Sequence, residues 1–135
     1  MSTPVRDLEG ATDELVAELA ARGIADNEQL VHAAATPAQR KELAGLCGCD
    51  TGDILHLANR ADLARIRGIG GVYSDLLEIA GVDTVKELAT RRADHLHAKM
   101  VETNDRDKLT SKPPTLAMVQ DWVNQAKSLK SGLSY

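Results

Sequence analysis

Apolar positions along this chain recur at helical spacing in short stretches, and glycine, proline or capping residues separate the stretches. Leu116, Val119, Val123 and Ala126 follow one another at steps of three, four and three residues, with Trp122 beside them on the same face. This period predicts an amphipathic helix capped by Thr115 and running to about Leu129. Upstream, Ala61–Ile66 and Tyr73–Leu77 are aliphatic helical patterns on either side of a glycine-rich break. Asp26 with Gln29, and Thr84 with Glu87, have capping-box spacing, and Thr36-Pro37 places a proline at a first helical position. Gly23 and Gly81 read as helix C-terminal caps. The pattern therefore predicts turns at 8–12 and 66–70, each leading into a helix that ends at Gly23 or Gly81. Second helices follow from Asp26 and Thr84, and third helices from Thr36-Pro37 and from near Asp94. A connector helix is expected over 51–59, and a leading helix over 61–66. Asn104-Asp105-Arg106-Asp107-Lys108 reads as a charged loop, and Ser111-Lys112-Pro113-Pro114 stops helix continuation. Residues after Leu129 are expected to fray.

Sliding the chain by 58 residues aligns its two halves. Gly10 meets Gly68, Leu19 meets Leu77, Gly23 meets Gly81 and Leu30 meets Leu88. Leu8 with Ile66, Ala11 with Ile69, Ile24 with Val82 and Leu43 with Val101 are conservative pairs. The matches fall on glycines and on leucines spaced for a core, which is the mark of a degenerate internal duplication.

Arg65-Ile66-Arg67-Gly68-Ile69-Gly70 is the most informative stretch. A Gly-Ile-Gly turn between two short helices is the signature of a helix-hairpin-helix. The glycines allow a tight turn and close approach of a partner, Ile69 plugs inward, and Leu77 closes the pair. Hairpins of this kind offer backbone N–H groups at a helix N-terminus to a phosphate. Gly68, Ile69, Gly70 and Gly71, with Arg65 and Arg67 nearby, are thus candidate phosphate or nucleic-acid contacts. Against that, Gly71-Val72-Tyr73 follow where DNA-binding hairpins commonly place Lys or Arg.

At 135 residues the chain is long enough to bury a core without a metal or disulfide staple. That core must be aliphatic, since there is no Phe, one Trp and two Tyr. Ala and Leu dominate and β-branched runs are few, which argues for an all-α protein. The net charge of −4 is uneven: residues 1–59 hold 4 Lys/Arg against 10 Asp/Glu, while the remainder is close to balanced. Phosphate neutralisation supplies most nucleic-acid affinity, so the overall charge counts against a polyanion partner. No signal-like segment opens the sequence, and no apolar run reaches the roughly 18–20 residues a membrane helix needs. A cytoplasmic protein is expected.

The run Asn59–Gly70 resembles the bacterial DUF4332 family, as does the following Tyr73–Ala89. Ala35–Ala44 and Asp121–Ala126 are similar to its other recurring pieces, so the resemblance covers about Leu8 to Leu129. It implies a tandem helix-hairpin-helix protein and carries no established activity. Distant relatives of such hairpins include DNA repair and recombination modules, an analogy of fold only. The chain departs from the family in its first hairpin, where Gly10-Ala11-Thr12 is followed by Asp13 and Glu14. Thr12 still caps a helix, but two carboxylates occupy the place a phosphate would take.

Other constellations are weaker. Arg91 and Arg92, with His95, His97 and Lys99, form a second basic cluster, in which His95 and Lys99 share a helix face and His97 points elsewhere. Cys47 and Cys49 are too close for an ordinary disulfide and wrongly spaced for a zinc knuckle, and neither they, His56 nor the His95/His97 pair matches a metal site. There is no nucleophile elbow and no phosphate-binding loop with its lysine, so an enzyme is not expected. The reading is one all-α domain of two helix-hairpin-helix-like (SAM-like) repeats at a 58-residue offset, closed by a C-terminal amphipathic helix. Repeat 1 spans about 8–50, the connector 51–59, repeat 2 about 60–104 and the last helix about 115–129, with Trp122 as structural anchor. The expected role is protein–protein recognition or scaffolding without cofactor, metal, membrane or small-molecule substrate. The alternative is weak, sequence-independent DNA binding through Gly68–Gly71, supported by Arg65, Arg67, Arg91 and Arg92.

Overall fold

A computed structural model describes residues 2–130 and 132–135. Its elements are α1 (Asp13–Ala20), α2 (Asn27–Ala33), α3 (Pro37–Cys47), α4 (Thr51–Leu63), α5 (Gly71–Ile79), α6 (Val85–Ala89), α7 (Ala93–Asp107) and α8 (Leu116–Ser128), after a 3-10 turn at Val5–Asp7. Among the described residues there is no strand, only a single antiparallel bridge between Pro4 and Asp26. The protein is all-helical.

The helices begin where capping chemistry places them. The side chains of Thr12, Asp26, Thr36, Thr84 and Thr115 each accept a hydrogen bond from the N–H three residues on. Gln29 and Gln39 return the bond to the cap backbone, completing capping boxes. Glu87 does not, because its carboxylate is turned to Arg91. Short helices are marginal alone, so these caps fix where the chain turns while packing supplies the stability.

The chain divides into two compact units, Met1–Arg65 with Ser131–Tyr135, and Ile66–Lys130. In the first, α4 packs on α2 and α3, and Leu19, Leu30, Ile54 and Leu57 are fully buried in its aliphatic core. Asn27 is buried as well: its side chain accepts from the Thr3 N–H (2.7 Å) and donates to the Ala61 carbonyl (3.1 Å). Helix α4 runs unbroken through 51–63, so the connector and the leading helix expected at 61–66 are largely one element. No glycine or proline interrupts the apolar face of Ile54, Leu57, Ala58, Ala61 and Leu63.

The end of the chain is not frayed. Leu133 is buried in the first unit's core, and the Ser134 N–H donates to the Ala35 carbonyl at 2.7 Å. Arg40, itself buried, donates to the Ala34 and Ser134 carbonyls (2.9 and 2.6 Å) and lies 5.3 Å from the centre of the Tyr135 ring. These partners are distant in sequence, which is why local pattern gave no sign of them.

In the second unit α8 packs on both α6 and α7, and α7 also meets α5. Trp122 is 2% exposed, among Val119, Val123 and Ala126 of its own helix. Helix α7 is longer than the sequence suggested, since 104–107 continue it and Lys108 ends it in the left-handed region. Asn104 does not belong to a solvated loop: its side chain holds both the N–H and the carbonyl of Thr110, each at 3.0 Å. It lies on the buried face that already carries Leu96, Met100 and Thr103.

Two substitutions test this packing. Trp122→Ala should lower unfolding free energy by about 3–5 kcal/mol, and Leu133→Ala by about 2 kcal/mol or more, both read from urea denaturation. An unchanged midpoint for Trp122→Ala would detach α8 from the core, and one for Leu133→Ala would return the tail to solvent.

Candidate functional site

The glycine turn lies at the start of α5. Gly68 has φ +96°, and a Cβ built there would fall 2.9 Å from Nε1 of Trp122. Backbone conformation and space both demand glycine. On one side of it the Arg67 backbone is clamped by Gln125, whose Oε1 accepts from the Arg67 N–H (2.8 Å) and whose Nε2 donates to the Arg67 carbonyl (3.0 Å). On the other side Ile69 points inward and is buried, as the sequence implied.

Gly70 is different. Its φ of −93° is open to any residue, and nothing lies within 4 Å of where its Cβ would be. Gly71 also faces open space. With glycine as N-cap, α5 has no side-chain cap and no acidic residue in its first turn. Its first intrahelical bond is donated by the Ser74 N–H, to the Gly70 carbonyl (2.9 Å). The N–H groups of Gly71, Val72 and Tyr73 therefore start a bare helix end. Helix α1 of the first unit contrasts with it, because Thr12 caps it and Asp13 and Glu14 sit in its first turn.

The arginines grouped by the sequence differ in their surroundings. Arg65 belongs to the first unit, where its Nη2 and Nε bond the carboxylate of buried Asp62 at 2.7 and 3.0 Å. Arg67 is exposed and belongs to the second unit. Arg91 and Arg92 lie at the other end of α5, about 13 Å of helix away from Gly71. Arg91 donates to Glu87 through Nε and Nη2 (3.1 and 2.8 Å) and to the Gly81 carbonyl through Nη2 (3.0 Å). It thus ties the turn after α5 to α6, a role that its place in a basic run does not reveal. Arg92 is exposed and pairs with Asp94 at 3.1 Å.

His95 and Lys99 share a face, as their four-residue spacing requires. With Thr90, Arg91 and Arg92 they line a cleft of about 330 Å³. His97 turns away and lies 3.1 Å from the Pro114 carbonyl. Tyr73 packs against Trp122 with ring centres 5.3 Å apart and donates to the Lys112 carbonyl. That anchored hydroxyl makes Tyr73 a structural residue.

Cys47 and Cys49 are free and half-buried, beside a cavity of about 260 Å³ in the first unit. His56 lines the same cavity, but its Nε2 is bonded to Glu9. Burial pushes both thiols above the usual cysteine range, with Arg22 partly opposing this at Cys47. The reactive thiolate is therefore scarcer than in an unperturbed cysteine.

This geometry makes two measurable claims. Alkylation of the native thiols should be slower than that of a free cysteine at neutral pH, and should accelerate only above the usual thiol pKa. Equal rates would place the thiolates in a more polar setting. Gly68→Ala should cost about 1–3 kcal/mol, while Gly70→Ala should cost less than about 1 kcal/mol. Equal costs would contradict the asymmetry between the two glycines.

A family model matches residues 9–129. No curated protein and no solved structure matches the chain. With nine-tenths of its length inside that match, the chain belongs to the family described as a domain of unknown function, DUF4332.

Proposed function

We propose that this chain is a non-catalytic protein-recognition module made of two helix-hairpin-helix-like repeats 58 residues apart. Support for the repeat comes from backbone features that recur at that offset. Gly10 and Gly68 have φ of +93° and +96°, and Gly23 and Gly81 have +78° and +98°. The Ala11 N–H bonds the Leu8 carbonyl as the Ile69 N–H bonds that of Ile66, and Ile24 bonds Leu19 as Val82 bonds Leu77. Helices α1 and α5, and α2 and α6, begin 58 residues apart.

The observation that carries the functional reading is the outer face of α5. Val72 and Ile79 are 42% and 46% exposed. Seven residues apart, they stand nearly above one another along two turns. Gly70 and Gly71 leave the backbone at the head of this stripe approachable. A partner helix or groove of matching apolar character fits such a face, and its small area suits a transient contact. The capped, acidic start of α1 and the pairing of Arg65 with Asp62 both weaken the case for a phosphate polymer.

One observation favours DNA instead, namely the uncapped N–H groups at the start of α5. A site with so few cations makes few phosphate contacts, so its affinity would be weak and would fall further with salt.

The two readings are separated by one pair of assays. Affinity capture with wild-type protein and with the Val72→Asp/Ile79→Asp variant should retain a specific protein partner only in the wild type, at unchanged melting temperature. Fluorescence anisotropy should show no duplex binding at physiological salt. Equal capture by the variant would remove the α5 face from consideration. Duplex binding that survives physiological salt and disappears in Gly70→Glu would move the function to nucleic acid.

A further inference from the structure

The cleft at the C-terminal end of α5 is independent of that apolar face. It is lined by Ala80, Thr90, Arg91, Arg92, His95, Leu96 and Lys99, four basic side chains and no carboxylate. The chain as a whole carries a net charge of −4, so this lining is unlike its average surface. Two neighbouring acids are paired with the arginines of the cleft, Glu87 with Arg91 and Asp94 with Arg92. The His95 ring and the Lys99 ammonium make no hydrogen bond or salt bridge among the described residues.

The guanidinium of Arg91 is held in place by its bonds to Glu87 and Gly81, and its Nη1 takes part in none of them. It therefore presents a fixed planar donor, the group best suited to an oxyanion. Lys99 adds a point charge four residues beyond His95 on the same face. The cleft also opens at the start of α7, where the Asp94 carboxylate already takes the His95 N–H and Arg92, so the ligand contacts fall to the side chains of the cleft. Ala80 and Leu96 supply an apolar floor. At about 330 Å³ the space is at the lower end of ligand pockets.

From this arrangement we infer that the cleft binds the phosphate group of a small phosphomonoester, with Ala80 and Leu96 against its carbon body. A dianionic phosphate uses the concentration of cations better than a phosphodiester does. A duplex backbone would need a cationic track longer than this local concavity.

The test is a titration of 15N-labelled full-length protein with inorganic phosphate and then glycerol phosphate, at constant ionic strength maintained with chloride. The expected result is saturable amide shifts confined to residues 80–81 and 90–99, with glycerol phosphate binding at least as tightly as inorganic phosphate. Arg91→Ala would also unfasten the Gly81 turn, so the informative variant is His95→Ala/Lys99→Ala, whose side chains are exposed. Removing these two contacts should weaken binding about tenfold with helicity and melting temperature unchanged. Non-saturating shifts, shifts spread over other lysines and arginines, or unchanged affinity in the variant would overturn the inference. Displacement of phosphate from the same amides by a duplex oligonucleotide would also overturn it, in favour of a nucleic-acid contact.

Discussion

Gly68 meets Trp122 at a distance that leaves no room for a side chain, and the second unit is organised around that contact. The left-handed turn at Gly68 brings the backbone under the indole, and Gln125, one turn further along α8, seizes Arg67 by both its N–H and its carbonyl. The indole also receives Tyr73 from α5, and the Tyr73 hydroxyl secures the 108–115 connection through Lys112. Asn104 holds the other end of that connection at Thr110. Turn, helix and connection are thus fixed by one aromatic side chain and a few backbone bonds, in a chain too poor in aromatics to build the same rigidity twice. A turn clamped this way sets the position of the next helix, α5.

Local chemistry made much of this legible. Capping residues act within one turn, so Thr12, Asp26, Thr36, Thr84 and Thr115 mark helix starts without reference to the rest of the fold. The period of Leu116, Val119, Val123 and Ala126 likewise placed α8 and Trp122 in the core. The features that escaped depend on distant partners. Leu133, Ser134 and Tyr135 look like a polar tail until Ala35, Arg40 and Asn59 are brought to them. Asn104 looks like loop until Thr110 returns to it.

Net charge does not say which arginines can meet a ligand: Arg40 and Arg65 are committed to carbonyls and a carboxylate inside the first unit, whereas Arg91 is tied through Nε and Nη2 alone. Within the Gly-Ile-Gly motif only Gly68 is required by the backbone. Gly70 serves instead to leave α5 uncapped. The site features are consequently spread along one helix, with the bare N-terminus at one end, the apolar stripe of Val72 and Ile79 along its length and the cationic cleft at the other end. The cleft was visible in sequence only as the four-residue step from His95 to Lys99, because its concavity arises from Ala80, a residue of another segment.

Because Trp122 is the only tryptophan, its fluorescence reports on the Gly68 contact without interference. The decisive measurement is its native emission and acrylamide quenching, followed through urea unfolding alongside helical circular dichroism. An indole seated on Gly68 should give a blue-shifted, poorly quenched native signal that moves to the solvent-exposed value together with the loss of helix in the second unit. A native emission already at the solvent-exposed value, with free access to acrylamide, would show that Trp122 does not seat on Gly68 and that α8 is not what holds the turn.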